Sequence, residues 1–575
     1  MRTHDKQNGI VQTPQSIAAL LVHWAVRSAS DTVLDIGAGT GVFLMEAYRR
    51  LVELGAKLGQ IPTQLYGVER DHALFAQLQD SFRAMTGSPL PNVQLGNLFE
   101  SRFPLVDAVI GNPPYVRRWW MDNLDALRDA LPSEAKKFNL KRLTDLACYF
   151  VMYAAQFLKP GGRLALVLTD AWLDTDYGIE FKRYLLRHFK LHAIVGFRSR
   201  VFHGVLVRPV LLLAEKATSE KPTRSNMAFV LLRNSCPAAN LFITHLRCSA
   251  QFVANGTMTL RRIRQDNLNP EDPWSIYLHA PPAYFVLRQH PLMAPLSSLA
   301  ETRIGFQTFA KFFYVVRSED AEALGLERQF LCPYVTTLCD VDGPVIEEQS
   351  PITHYLICCD REKADLRGTR LLDYITHWES QLLKPRGALK PVVGVHNLPR
   401  VRRARRQPWY NLVAEVRRRG AFPILLPRRL YNRFCAVWNR AKRIADENFI
   451  EVRPKAGVDL EALLAVLNSS VCELALRVHA HIYGGGVYNL NPGDIGKVPV
   501  LNIRVLSPAG VNALKSAYCQ FISSGGSDRE LLDRTLCELL NVSDDFYDAV
   551  CQGIAELKDL SVSVQRDFVL SSSTP

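Results

Sequence analysis

The sequence contains no run of eighteen or more apolar residues, so nothing in it reads as a transmembrane helix. Its opening, MRTHDKQNGIVQTP, lacks the apolar centre of a signal peptide. The twelve cysteines include no CxxC pair, and only Cys358 and Cys359 are neighbours. That spacing argues against a structural zinc site and reads as free thiols in a reducing cytoplasm. His479 and His481 stand two apart without an acidic or cysteine companion, so no metal site is expected. No internal repeat is present. With 48% apolar and 22% charged residues, the chain is neither disordered nor fibrous.

Acidic residues are nearly missing from one stretch. Across all 575 residues there are 69 Lys+Arg and 56 Asp+Glu, a net charge of +13. Arg400 to Arg443 hold thirteen arginines, Lys442 and a single acid, Glu415, which also sums to +13. The remainder of the chain is therefore neutral. A block of this kind favours a partner carrying phosphates, and Arg402, Arg403, Arg405 and Arg406 are its first candidates. Charge runs are often just solvated faces. Here Trp409, Tyr410, Tyr431, Phe434 and Trp438 are interleaved, which suits binding to nucleic acid.

At about 100–200 residues per domain, this length predicts three or four domains. Residues 31–215 alternate short apolar runs with helical spacing, as in DTVLDIGAG, QLYGVERD, DAVIGNPP and GGRLALVLTD. Such alternation predicts an α/β domain with a mostly parallel sheet. The polar, turn-rich KATSEKPTRSN at 216–226 reads as a boundary. The division expected is 1–225, a connecting region 226–300, a mixed α+β domain 301–500 and an acidic helical extension 501–575.

Two motifs carry the chemistry. Asp35-Ile36-Gly37-Ala38-Gly39-Thr40-Gly41 follows a strand and opens a helix. Glycines at Gly37, Gly39 and Gly41 let the backbone approach a ligand and set helix N–H groups beside it. Glu69, at the end of the next strand, is placed to bind ribose hydroxyls. Nicotinamide and S-adenosylmethionine sites share both features. The second motif, Asn112-Pro113-Pro114-Tyr115, sits directly after DAVIG. Its double proline can continue neither a sheet interior nor a helix. The Asn112 side-chain oxygen and the Pro113 carbonyl can then accept the two N–H groups of a planar exocyclic amine. Such bonding favours a tetrahedral nitrogen and localises its lone pair toward an electrophile such as a sulfonium methyl. Tyr115 can stack on the base that carries the amine. Arg117, Arg118, Trp119 and Trp120 follow at once, two cations beside two aromatics that suit either phosphate and base contacts or an exposed turn over a tryptophan core.

In this order the motifs resemble those of the gamma-class, TaqI-like DNA adenine-N6 methyltransferases. The likeness is strong over about 1–215. The resemblance implies a Rossmann-like catalytic domain that uses S-adenosyl-L-methionine. It implies that Gly9-Ile10-Val11-Gln12-Thr13-Pro14 closes over the methionine part of the cofactor, with Thr13 and Pro14 as contacts. LDIGAGTG, beginning at Leu34 and including Asp35, becomes the cofactor turn, and GNPPY the catalytic loop. Phe202, in Arg200-Val201-Phe202, matches the aromatic that stacks on a flipped base. Thr302–Thr308 resembles the opening of a target-recognition domain, and Asp494–Val500 its close. One position departs from the pattern. Where the family commonly has an aspartate for the cofactor adenine, this chain offers Asn97, an uncharged acceptor, with Phe99 beside it as a ring for either the adenine face or the core.

The partner implied is double-stranded DNA with its adenine flipped out. Cytosine-N4 transfer, or amino-group transfer to RNA or a protein glutamine, uses the same loop chemistry. A non-catalytic DNA-binding subunit is the reading of a different class. Cytosine-C5 transfer is disfavoured, because no cysteine follows a proline. The cofactor motif begins by residue 9, and no PD-x(n)-ExK pattern stands out downstream, so modification without a fused nuclease is expected. A separate restriction endonuclease or defence subunit is compatible with that.

Overall fold

A computed structural model of the chain describes residues 12–114, 124–141, 144–199, 201, 208–219, 224–233, 236–384, 390–482 and 487–572. The chain forms two compact units that divide between Ala280 and Pro281.

The first unit is an α/β sandwich. In chain order its main elements are α1 (Gln15–Ala25), β1 (Val33–Asp35), α2 (Val42–Glu53), β2 (Leu65–Glu69), α3 (His72–Thr86), β3 (Asn92–Leu95) and β4 (Val106–Gly111). Then come α4 (Leu146–Ala154), β5 (Leu158–Thr169), α5 (Gly178–His188), β6 (Phe189–Phe197), β7 (Pro209–Lys216), β8 (Asn226–Leu232), α6 (Ala239–Arg247), β9 (Phe252–Ala254) and β10 (Met258–Arg264). The ten strands form one sheet in the order β3-β2-β1-β4-β5-β7-β6-β8-β10-β9. All neighbours from β3 to β5 are parallel. Strand β7 runs against both β5 and β6. Its connection from Phe197 to Pro209 is too short for the crossover of a dozen or more residues that a parallel return needs.

The hydrophobic pattern explains why the centre holds. Ala108, Val109 and Ile110 of β4 and Leu164–Val167 of β5 are all fully buried. Continuous apolar runs of this kind suit strands covered on both faces. Each large aliphatic side chain so buried contributes about 1.5–3 kcal/mol. Residues 226–264 do not form a separate connector. The apolar run NMAFVLL pairs with β6 as β8, and β10 and β9 extend the same edge. Trp274 then packs edge-on against Trp172 and Phe229, so the unit continues to Ala280.

From β1 the chain moves outward to β2 and β3, then returns to β4 on the other side of β1. That reversal is a topological switch point, where open α/β sheets leave a crevice outside their carboxyl ends. The glycine turn and the Asn112-Pro113-Pro114 segment leave these two adjacent strands on that edge.

The second unit is mixed α+β. One five-stranded sheet joins residues 300–304, 449–454, 424–427, 437–439 and 345–346, and a four-stranded sheet joins 315–317, 354–357, 331–335 and 444–445. Helices Leu460–Asn468 and Ser470–His479 lie buried within it. The helical stretch from residue 501 to Ser561 belongs to the same packing, while the described residues from Val562 on group with the first unit. Asp533 accepts hydrogen bonds from the Ser470 N–H at 2.7 Å and the Ser470 hydroxyl at 2.6 Å. Arg529 pairs with Glu473 at 2.6 Å. Leu532, Leu536 and Leu540, one face of Glu530–Leu540, are buried. Among the described residues no single helix is long and apolar enough to cross a membrane, and no group of three or more potential metal ligands occurs. All twelve cysteines are unbridged.

Candidate active site

The site is built where β1, β2 and β4 end. Asp35 closes β1, and its Oδ1 accepts the Gly37 N–H at 3.1 Å. The Gly39 N–H donates to Glu69 Oε2 at 2.8 Å, across to the end of β2. The other Glu69 oxygen accepts the Asp71 N–H at 2.8 Å. Asp71 in turn caps α3, accepting from the Ala73 and Leu74 N–H groups. Glu69 thus holds the glycine turn in place. A carboxylate has about four acceptor sites, so these two bonds leave capacity for hydroxyl donors.

Gly41, at φ +89°, starts α2, and a Cβ there would lie 2.1 Å from Leu78 Cδ1. The turn therefore needs glycine for both conformation and space. Gly41→Ala should destabilise the protein by about 3 kcal/mol, combining left-handed strain with overpacking. A urea-unfolding midpoint equal to that of the parent protein would contradict this.

Strand register sets the second motif against the first. Asp35 pairs with Ile110, and the Ile36 N–H donates to the Ile110 carbonyl at 3.2 Å. Gly111 has φ +140°, and a Cβ there would stand 2.8 Å from Asp35 Oδ1. A Cβ on Gly37 would be 3.7 Å from the Asn112 carbonyl oxygen. The two motifs are in contact through glycines that leave no side chain between them. Asn112 Nδ2 donates to Thr13 Oγ1 at 3.0 Å, across 99 residues of sequence. Thr13 is buried, and the Pro14 carbonyl beside it begins α1 by accepting from the Ile17 and Ala18 N–H groups. Pro113 is buried. Sequence reasoning assigned Thr13 only to the cofactor and passed over Gly111. The lone glycine ending the DAVIG strand was the signal for the latter.

Asp35 is fully buried, and its Oδ2 has no hydrogen-bond partner among the described residues. Burial, with the nearby Glu69 charge adding to it and the Gly37 N–H opposing it, pushes the Asp35 carboxyl up to about 7. A carboxyl raised in the folded state stabilises the fold most below its unfolded value near 4, and that contribution is lost as pH rises through 7. Unfolding free energy of the ligand-free protein should therefore fall between about pH 5 and pH 8. Asp35→Asn should flatten that fall, and an equal slope in both proteins would contradict the assignment.

Other sequence-predicted positions take different places. Asn97 Oδ1 accepts the Phe99 N–H at 3.3 Å, capping the short helix Leu98–Glu100, while its Nδ2 donates to Glu100. Phe99 is 7% exposed and packs on Phe150 and Tyr153, both at 5.1 Å. These are the geometries of a cap and a core ring. Tyr115, Arg117, Arg118 and Phe202 lie outside the described residues.

In the second unit the arginine block divides. Arg402, Arg403 and Arg405 are exposed, and their side chains make no ion pair or hydrogen bond among the described residues. Arg400, Arg417, Arg418 and Arg429 share that state. Arg406 differs from its neighbours. It is 7% exposed, pairs with Glu415 at 2.7 and 2.9 Å and donates to the Thr308 carbonyl at 3.0 Å. Its guanidinium is thus committed to the fold and unavailable to a partner.

Comparison with known proteins gives matches to both units. Residues 1–245 match the N-6 DNA Methylase family, and residues 279–521 match the C-terminal domain of the type II methyltransferase M.Eco57I. The chain is 21% identical over 535 residues to the type II methyltransferase M.AccI of Acinetobacter calcoaceticus, spanning 90% of each. It is 25% identical over 239 residues to the type II restriction enzyme and methyltransferase RM.BcgI of Heyndrickxia coagulans, covering 39% of this chain and 33% of that one. Among solved structures, the type IIG restriction endonuclease BpuSI aligns with 99% of this chain and 67% of its own, at TM-score 0.46 and 15% identity. An N-6 DNA methylase domain carrying Asn112-Pro113-Pro114 beside its glycine turn, followed by a type II methyltransferase C-terminal domain, makes this chain a DNA adenine-N6 methyltransferase of the restriction-modification kind.

Proposed function

We propose that the enzyme binds S-adenosyl-L-methionine across the β1/β4 switch point and methylates the N6 amine of an adenine flipped out of double-stranded DNA. The observation that carries this reading is the contact between the glycine turn and the catalytic loop, set by the Asp35–Ile110 register. The residues fit the cofactor. Asp35 Oδ2 is a buried acceptor in want of a donor, and a Cβ on Gly39 would meet nothing within 4 Å. Asp35, Gly37, Gly39, Gly41 and Glu69 would hold the cofactor, with Thr13 and Pro14 beside it. When bound, the cofactor supplies an electrophilic methyl group on a sulfonium.

The chain's own residues do the rest by positioning. The Thr13 hydroxyl, by accepting from Asn112 Nδ2, fixes which end of the amide accepts. Asn112 Oδ1 and the Pro113 carbonyl take the two N–H groups of the adenine amine, favouring a tetrahedral nitrogen and drawing its lone pair out of conjugation with the ring. Neither group is a strong base, and none is needed for in-line transfer, because the methylated, positively charged amine is acidic enough to release its extra proton to water. Tyr115 and Phe202 are proposed to replace the stacking lost on flipping, with Arg117 and Arg118 on the nearby phosphates. Arg402, Arg403 and Arg405 supply sequence-independent attraction to the duplex. The motif order is that of the gamma class. A separate endonuclease would complete a restriction-modification pair.

The substrate class is testable with methyl-labelled cofactor and equal masses of mixed-sequence duplex DNA, RNA and a protein mixture in one reaction. Label is expected in the DNA fraction. Label confined to RNA or protein would overturn the assignment.

A further inference from the structure

We propose that Phe309, backed by Phe312, is an aromatic wedge that enters a base step of the DNA duplex during methylation. The inference rests on the DNA reading above. Phe309 holds a backbone φ of +67°, a conformation that bulky residues rarely adopt, and its ring is 43% exposed. Phe312, three residues on, is 49% exposed. Neither ring is left out for want of a core. The adjacent Phe313 and Tyr314 are fully buried, Phe313 packing on Tyr374 and Trp409.

The segment that presents these rings is firmly held. Gly305 lies so close to the Asp446 carbonyl that a Cβ would meet it at 1.9 Å. Gln307 donates to Glu447 at 2.7 Å, and Lys311 pairs with Asp446 at 3.1 Å. Arg406 donates to the Thr308 carbonyl, and its guanidinium lies 5.5 Å from the Phe309 ring centre. A braced turn that points an aromatic ring into water has the form of a contact element.

Charge states what the element contacts. Two further braces, Arg406 and Arg419, come from the ends of two arginine-bearing helices. Arg406 follows helix Pro399–Ala404, with exposed Arg402, Arg403 and Arg405 just before it. Arg419 ends helix Val413–Arg419, directly after exposed Arg417 and Arg418, and donates to the Ile304 carbonyl. Phe309 therefore sits on a segment held by two arginines whose sequence neighbours are exposed, unpaired cations, while the Phe312 ring rests on Trp378 at 5.2 Å. Apolar rings flanked by arginines fit a duplex, where phosphates meet the cations and a wedge between base pairs opens the stack. A second protein would need an acidic face around an apolar hollow, and its capture is an outcome of the test below.

Phe309→Gly is the informative variant, because glycine adopts φ +67° without strain. It should unfold at the same temperature as the parent protein or higher, and bind cofactor equally. Methyl transfer to duplex DNA should fall at least tenfold, with the slope of DNA binding against salt unchanged. Phe309→Trp should keep activity, and its emission should be quenched on adding duplex. Full activity of Phe309→Gly, or no quenching in an active Phe309→Trp protein, would overturn the wedge while leaving the DNA reading intact. Concentration-dependent self-association of the parent protein that Phe309→Gly abolishes would also overturn it, marking a protein contact. Failure of the parent protein to methylate any DNA would instead remove the reading on which the wedge rests.

Discussion

Asn112→Ala is expected to lower methyl transfer to DNA by roughly 10²–10³-fold, the effect of deleting one preorganised polar group aimed at the reacting atom. Cofactor affinity and duplex affinity should change little. The expectation follows from how Asn112 is held. Gly111 places it against the end of β1, and its Nδ2 donates to Thr13 at 3.0 Å. Its amide is thereby fixed before substrate arrives, so little reorganisation remains to be done in the transition state. Alanine removes the acceptor without crowding the loop. Asn112→Asp is a sharper variant. It keeps an acceptor but lacks the amide donor to Thr13, so its activity should fall between the two. Alanine and parent enzymes of equal rate would show that the amine is activated elsewhere.

Replacing Arg402, Arg403 and Arg405 together by glutamine is the second large effect. Each cation that neutralises a phosphate adds about 0.9 to the slope of log affinity against log salt, so the triple variant should lose about 2.7. At moderate ionic strength that corresponds to roughly ten- to a hundredfold weaker DNA binding. Cofactor affinity should be unchanged. Arg406→Gln should behave differently. It breaks a pair in which the Arg406 side chain is 2% exposed and Glu415 31%, and strands Glu415. The cost should be about 3 kcal/mol of stability, the low end for a buried pair because Glu415 is partly solvated. If the triple variant instead loses stability and keeps its salt slope, the exposed arginines are structural.

The contrast between Arg405 and Arg406 shows what sequence can and cannot convey. Both stand in one run of like charge, and nothing local separates them. Their difference arises from Glu415, nine residues on, and from the Thr308 carbonyl, 98 residues back. The glycine turn and Asn112-Pro113-Pro114 were legible because each function is local: a glycine spacing, a proline pair, a strand just before. Their mutual contact was legible only through family resemblance, since register across β1 and β4 is long-range. Asn97 and Phe99 take local roles that the family resemblance did not convey. An asparagine two residues before an N–H is a natural helix cap, and that role needs no ligand. The boundary expected at 225 followed a polar stretch, but β8 pairs with β6 beyond it, and burial rather than composition decides where the unit ends. The stretch after 501 read as an appendage because it is acidic, yet the leucines of Glu530–Leu540 are buried in the second unit.

Nucleoside analysis of product DNA decides whether this site methylates adenine at N6. Mixed-sequence duplex incubated with methyl-labelled S-adenosyl-L-methionine, then digested to nucleosides, should carry its label in N6-methyldeoxyadenosine, and Asn112→Ala should yield almost none. Label in N4-methyldeoxycytidine, or a cofactor-bound enzyme that leaves diverse DNA unmodified, would contradict the account.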